Sequence, residues 1–488
     1  MKNALLIFAF LSFYLSSVHA SVEIRSNKLT TGDGLANNSI RYMFQDSKGF
    51  MWMGTVNGLS YYDGNSFVSI YPDPNLPVSL ADPRIRNMEE DSNGFLWIAT
   101  LSSLYSCYDL KHGRFVDFTG CGEYKQSYSK KIIASDQSVW LWDNNNGCRR
   151  VVYQDGQFSS QAYKKESGNL SSDEVLFVYE SNDSPGHVWI GTRQGLWKYH
   201  EGKLEAMDTQ GESWEHIFSY GQYTCIITGK KEIYRHSLSN NRLEKIASLT
   251  ELGDTGVITG SLRLQHQWVM FTATGSYILD PVTGKLRRFS RLNIKNGNVT
   301  RDNKGNAWVH NYTGNVWYVN TSTGDIKPFQ FLSSEHLGYI DVERYSIIHD
   351  SRDIIWITTY GNGLFAYDLN TGGLQHFTFE VSHSSHINSN YLQYIIEDRS
   401  GGIWVSSEFS GLSHLEILNK GTLRIYPNGE NASDRSNTIR MLLRGKNGNV
   451  FMANRMGTLY EYDAGLKNIL RKEKFTHNVY STVSYTHL

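Results

Sequence analysis

A short segment recurs along this chain at a nearly fixed interval, and that periodicity restricts what the chain can fold into. The first copy reads Asp46-Ser47-Lys48-Gly49-Phe50-Met51-Trp52-Met53-Gly54-Thr55, followed by Asn57-Gly58-Leu59 and Tyr62-Asp63-Gly64. Its Asp, Gly and Trp positions return as Asp91, Gly94 and Trp97, as Asp183, Gly186 and Trp189, as Asp302, Gly305 and Trp308, and as Asp398, Gly401 and Trp404. Asp350 and Trp356 keep the same frame, with Asp353 at the glycine position. Weaker copies centre on Trp140, on Ile226 or Ile227, on Trp268 and on Phe451. The copies with a central aromatic lie 40 to 49 residues apart, except for one interval of 79 that holds the degenerate copy Tyr223 to Tyr234. About ten units result. A period of ~40–50 residues belongs to a propeller or a stacked array.

Each unit reads as strands. Ile40 to Gln45 is a β-rich inner strand, and Asp46 opens a tight turn in which its carboxylate can accept from N–H groups two and three residues on. Gly49 suits the left-handed position that a side chain resists, and Asp353 is a tolerated substitute there. The second strand carries Trp52 into the core between neighbouring units, Asn57-Gly58 makes the next turn, Leu59 to Asp63 is the third strand and Phe67 to Tyr71 the outer one. Four antiparallel strands of descending burial make one blade of a β-propeller. The repeat residues Asp46, Gly49, Trp52, Asp91, Gly94, Trp97, Asp183, Trp189, Asp302, Gly305, Trp308, Asp350, Trp356, Asp398, Gly401 and Trp404 are therefore read as structural, the Asp as turn caps and the Trp as packing between blades.

Composition agrees with an all-β reading. The 488 residues include 30 Tyr, 22 Phe, 12 Trp and 43 Gly but only 8 Pro, a profile of strands and tight turns rather than disorder. The net charge of −1 lacks the basic field that a nucleic-acid surface needs. Met1 to Ala20 reads as a secretory signal, with Lys2 before the apolar run Ala4 to Leu15 and small or permissive residues at Val18-His19-Ala20. That run is too short to span a bilayer at ~20 residues. The cysteines, Cys107, Cys121, Cys148 and Cys225, show no Cys-x-x-Cys spacing. Export permits a Cys107–Cys121 bridge, and unpaired semi-buried thiols are an equal alternative. A new strand begins near Asn478 to Val483 and the chain stops at Leu488, which reads as a truncation before the next hairpin.

The opening Leu29-Thr30-Thr31-Gly32-Asp33-Gly34-Leu35-Ala36-Asn37-Asn38-Ser39-Ile40, joined to Gln45 to Thr55, resembles the two-component regulator propeller repeat. That repeat builds the periplasmic sensor region of hybrid two-component systems in Bacteroides-like bacteria. The resemblance covers nearly all of residues 22–483. It implies two seven-bladed propellers, a small immunoglobulin-like sandwich, one membrane span and a cytoplasmic histidine kinase with receiver and DNA-binding regulator. This chain carries no phosphoacceptor His box, kinase glycines or receiver aspartate. The expected organisation is a signal peptide at 1–20, a first seven-bladed propeller at 21–335 built on Trp52 to Trp308, and about three blades of a second at 336–488. The boundary is placed near Ser333 to His336, and an early strand at Val22 to Arg25 closes the first ring on its last blade.

No phosphate loop, dinucleotide fingerprint, zinc-protease motif or nucleophile elbow is present, so no catalytic residue, metal or cofactor is assigned to this chain. His383-Ser384-Ser385-His386 has loose metal-like spacing but reads as a solvated loop, and Glu89-Glu90-Asp91 as a strand end. The Asp-x-x-Gly-x-x-Trp hairpin resembles the Asp-box turn of sialidase propellers, which lies away from their catalytic site. A binding face is the better reading. Propellers present ligand loops between strands two and three and between blades. Here those loops carry Asn57, Arg193-Gln194, Tyr360-Gly361-Asn362 and Glu408-Phe409, with Arg41, Arg86 and Arg440 early in inner strands. Aromatic faces stack on sugar rings, while Arg, Asn and Glu bind hydroxyl, uronate or sulfate groups. The resemblance implies an oligosaccharide ligand, a homodimer of the full-length receptor, and a membrane link only through a downstream span. An exported carbohydrate-active propeller enzyme and a propeller sensor with another output, such as a cyclic-dinucleotide synthase, are the alternatives.

Overall fold

The computed structural model describes residues 22, 24–120, 127–181, 183–208, 211–302, 304–311, 316–329, 346–380, 387–418, 425, 427, 435–466 and 468–475. The expectations for the signal segment, Cys121, the 333–336 boundary, His383 to His386 and the strand near residue 480 fall outside them. The described chain forms ten four-stranded antiparallel sheets, with short 3-10 turns as its only helical elements. The first strands are β1 (Ile24–Leu29), β2 (Ile40–Gln45), β3 (Met51–Thr55), β4 (Leu59–Tyr62) and β5 (Phe67–Ile70). Sheet 1 is β2-β3-β4-β5. The others follow at 85–116, 130–163, 175–208, 214–248, 260–288, 298–329, 347–377, 392–417 and 439–474. Ten sequence copies thus become ten blade-like sheets, and β2 has the expected ends.

The Asp positions show why the repeat holds its shape. One oxygen of the buried Asp46 carboxylate accepts from the N–H groups of Lys48 and Phe50 at 3.0 and 2.9 Å. The other accepts the indole N–H of Trp52 at 2.8 Å. These partners lie two, four and six residues on, so the turn reaches one residue further than the spacing suggested. A buried carboxylate is costly unless such donors surround it. The same indole clasp joins Asp91 to Trp97 (2.8 Å), Asp350 to Trp356 (2.9 Å) and Asp398 to Trp404 (2.7 Å). Gly49 has φ 95° and Asp353 φ 65°, the left-handed conformation that the turn requires.

Asp183 departs from this role. The strands of sheet 4 pair as far as Ser181 with Ser184, which leaves Asp183 in the tight turn itself. Its carboxylate turns outward and accepts from Gly221 N–H at 2.9 Å and Arg263 at 3.2 Å. Glu180 takes over, accepting from Gly186 N–H at 2.6 Å.

The tryptophans fill the gaps between sheets, as expected. Trp52 packs with Leu96, Ile98 and Tyr108 of the next sheet, and Trp356 with Ile395, Ile403 and Val405. Truncating such a residue to Ala costs about 3–5 kcal/mol. Polar latches reinforce the same joints at the Asp-turn end. Glu90 accepts from Ser47 N–H at 2.6 Å, Glu180 from Ser135 N–H at 2.6 Å, and Glu397 from Ser351 N–H at 2.9 Å.

The chain separates into two compact units, Met1–Ile417 and Leu418–Leu488. In the first, β1 is the outer strand of the ninth sheet and runs antiparallel to Leu412–Ile417, from Ile24 opposite Ile417 to Leu29 opposite Leu412. A core cluster of Ile40, Met43, Met53, Trp404 and Leu412 joins that sheet to the first. Arg399 seals the same joint by donating its backbone N–H to Gln45 at 2.9 Å and its guanidinium to the Ser47 carbonyl at 3.0 Å. The partner expected for the early strand was the Trp308 sheet, with a boundary near residue 335. The pairing instead engages the Trp404 sheet, and the unit continues to Ile417. The second unit holds one sheet on a small core of Met452, Tyr460 and Tyr462, with Leu442 and Leu470 exposed.

Cys107, Cys148 and Cys225 are buried free thiols. Burial pushes each of them up, Cys225 to about 12, so none is primed as a nucleophile.

Candidate ligand-binding face

The inner strands start with a repeated irregularity. In sheet 1, Ile40 pairs with Thr55 but Tyr42 with Gly54, so Arg41 is an extra residue. The same skip isolates Arg86 in sheet 2, Leu176 in sheet 4, Glu215 in sheet 5 and Arg440 in the second unit. A bulge re-aims the side chain it inserts. Arg41, Arg86 and Arg440 thus share one structural position, which the sequence marked only as early in the strand. Arg86 donates to the Ser129 carbonyl of the next sheet. Burial pushes the neighbouring Tyr105 up to about 12, with Arg86 pulling the other way.

Arg193 is engaged within the protein. Its guanidinium lies 2.9 Å from Glu174 and 3.9 Å from Glu215, and Glu215 is held at 2.7 Å by Lys231. Neither Glu174 nor Glu215 stood out in the sequence, since nothing local marks a bulged glutamate as the partner of an arginine two strands away.

Tyr360 and Glu408 come together through a third residue. The Tyr360 ring meets Tyr391 edge-on at 5.1 Å and 74°, and the two residues form an isolated bridge. The Tyr391 carbonyl accepts the Glu408 N–H at 3.0 Å. Glu408 is buried and accepts from Gln393, while Phe409 beside it is 70 % exposed and Tyr391 50 % exposed. Aromatic rings thus stand on neighbouring loops of sheets 8 and 9, with the buried Glu408 next in sequence to the exposed Phe409. The Asn362 backbone carbonyl lies 2.6 Å from His376 Nε2, which fixes the turn. Tyr391 and Gln393 were missed, since neither the inter-blade loop nor the start of an inner strand gives a spacing signal. Exposed aromatic faces with a fixed carboxylate can stack on a ring and accept from hydroxyls. The expected residues of the first unit are spread over several sheets. Tyr360 and Glu408 share a cluster, Arg41, Arg86 and Arg193 belong to sheets 1, 2 and 4, and Arg440 lies in the other unit.

The fold and this loop face define an all-β, propeller-type repeat protein. Residues 34–57 and 79–102 match the two component regulator propeller family, and these are the Asp46–Trp52 and Asp91–Trp97 copies. No curated protein sequence matches the chain. Among solved structures, the extracellular domain assigned to the hybrid two component system BT3049 of B. thetaiotaomicron aligns with 16% identity and a TM-score of 0.36. The alignment covers 93% of this chain and 67% of that one. The extracellular domain of BT4673 from the same organism aligns at 17% identity and TM-score 0.37, covering 94% of this chain and 61% of its own. PorZ of Porphyromonas gingivalis, a surface component of the type-IX secretion system, aligns at 12% identity and TM-score 0.34, over 90% and 73%.

Proposed function

We propose that this chain is the periplasmic ligand-sensing region of a hybrid two-component sensor, exported and dimeric in its receptor. The observation that carries this reading is the regulator-propeller match at 34–57 and 79–102, on repeats whose Asp–Trp clasps are purely architectural. The ligand is an oligosaccharide held at the loop face, where Tyr360, Tyr391 and Phe409 supply stacking surface and Glu408 a hydroxyl acceptor. Its binding favours one arrangement of the dimer over another, and a histidine kinase outside this sequence reads the difference. The unit that binds ends at Ile417.

Thermal-shift titration of the mature chain against a panel of plant and host oligosaccharides, with product analysis of each mixture, tests this. A ligand that binds only the folded state raises Tm by mass action. A shift with intact sugar, lost in Phe409→Ala and Tyr391→Ala, is the expected result. A shift accompanied by cleaved sugar identifies an enzyme instead.

A further inference from the structure

A second groove lies at the opposite, Asp-turn end of sheets 5, 6 and 7, with a cavity volume of about 520 Å³ lined by Tyr220, Arg263, Gln265, His266, Arg301 and Ser322, among others. Its chemistry is set by two arginines on adjacent inner strands, Arg263 in Gly260–Leu264 and Arg301 at the end of Asn298–Arg301. Arg263 is preorganised. Its guanidinium lies 4.6 Å from the Tyr220 ring centroid, donates to the Gln265 carbonyl at 3.4 Å and reaches Asp183 at 3.2 Å. Tyr220 is itself fixed, with its hydroxyl 2.6 Å from His266 Nδ1. Gln265 anchors the floor through its N–H to the Thr321 carbonyl and its amide to the Thr323 carbonyl, both at 2.7 Å. Arg301 differs: among the described residues its side chain has no ion-pair or hydrogen-bond partner. Asp183 is thus the ion-pair partner of Arg263, and Arg301 adds a second guanidinium to the lining of the groove.

We infer that this groove is an oxyanion site that takes a sulfate- or phosphate-type group between Arg263 and Arg301, with the Ser322 hydroxyl beside it. Two guanidinium forks match tetrahedral oxyanions in bidentate geometry, and two of them lining one groove hold an anion more strongly than a single cation on an open surface. The departure of Asp183 from its turn-capping role has a use in this site. It orients Arg263 against Tyr220 and leaves the remaining guanidinium edge facing the groove. The site is separate from the aromatic loop face and does not depend on an oligosaccharide binding there.

The test is calorimetric titration of the whole chain with sodium sulfate and with glucose 6-phosphate, each against sodium chloride at equal ionic strength. Saturable binding is expected, at least tenfold weaker in Arg301→Gln and unchanged in Arg287→Gln, an exposed arginine outside the groove. Asp183→Asn is expected to bind more tightly, because the amide oxygen can still accept from Arg263 while the charge that competes with the anion is gone. Equal affinity for the two probes marks a free inorganic ion as occupant, and a tenfold preference for the ester marks a group on a larger ligand. Absence of any binding above the chloride control, or equal loss in Arg301→Gln and Arg287→Gln with both variants melting like the parent, overturns the site.

Discussion

Asp302 and His349 meet across the joint between sheets 7 and 8, with Oδ2 3.2 Å from Nδ1, and in doing so Asp302 abandons the tryptophan of its own repeat. The indole nitrogen of Trp308 has no acceptor, although Trp308 stands six residues on, as Trp52, Trp97, Trp356 and Trp404 do from theirs. Burial pushes the Asp302 carboxyl up, but the bonds from His349, Asn306 and Lys304 overcome it and hold the group below the usual range.

The two arrangements respond differently to an amide. Asp350 accepts on one oxygen from the N–H groups of Arg352 and Ile354 and on the other from Trp356, so an Asn must point its NH₂ at a donor on one side. Asp302→Asn meets a histidine on its second oxygen, and a neutral imidazole can present an acceptor nitrogen instead. Asp350→Asn is expected to lower stability by about 2–3 kcal/mol and Asp302→Asn by about 1 kcal/mol or less. Urea unfolding of the two variants side by side measures the gap, and equal losses would refute the distinction.

Local chemistry was readable in the sequence and distant pairing was not. The Asp, Gly and Trp positions announced a turn and a core residue within ten positions of each other, and even the degenerate copy around Ile226 became a full sheet. Asp183 kept the spacing but lost the role, because the hairpin tightened onto Ser181 and Ser184. The partner of β1 lay almost the whole chain away, and no residue in Ile24–Leu29 encodes which of ten similar edges it joins. At the loop face, Tyr360 and Glu408 were legible as turn residues. Tyr391, the residue that connects them, is defined only once two sheets are packed.

The β1 pairing carries a truncation prediction. Six residue pairs cover the edge of the ninth sheet, and an uncovered edge invites association with other chains. A mature chain ending at residue 417 is expected to be monomeric and to melt in one cooperative step. Removal of residues 21–29 from it should lower Tm and give aggregates in size-exclusion chromatography. Ending the chain at 335 should do the same, since it removes the sheets that β1 and β2 pack against. A well-behaved 21–335 fragment would instead support closure at the Trp308 sheet.

Gly54 tests the tightness of the joint between the first two sheets. A Cβ there would lie 2.6 Å from Ile85 Cγ2 and 2.8 Å from Ile85 Cβ. Ile85 is fully buried and β-branched, so it cannot rotate away. Gly54→Ala should therefore cost about 1–3 kcal/mol by overpacking, although alanine has the better strand propensity. The corresponding position of the second sheet is Ala99, buried without conflict, and Ala99→Gly should cost no more than about 1 kcal/mol. Denaturant midpoints compare the pair, and a neutral Gly54→Ala would show that the sheets can part at no cost.

Buried and half-buried histidines shape the acid limb of stability: His187 and His236 are pushed down, and His216 and His310 furthest. Burial pushes His216 down to about 4, with the Lys231 charge adding to it, and burial alone takes His310 to about 4. In the unfolded chain both titrate near 6.5. Below that pH the unfolded state binds protons that the folded state refuses, so stability falls as pH drops from about 6.5 to 4 and levels off for these groups below it. Each histidine contributes at most on the order of 3 kcal/mol over that window. Asp398 acts lower. Burial raises its carboxyl, but the His414 ring at 3.6 Å and the bonds from Ser400, Trp404 and Gly402 outweigh this and hold it well below the usual range. Its stabilisation is therefore complete above about pH 4 and is lost only in stronger acid. Urea midpoints of the parent at pH 7, 5.5 and 4.5 should decline steadily, and His216→Gln should flatten that decline by about one proton's worth. An unchanged slope in the variant would mean that His216 takes up its proton in the folded state as readily as in the unfolded one.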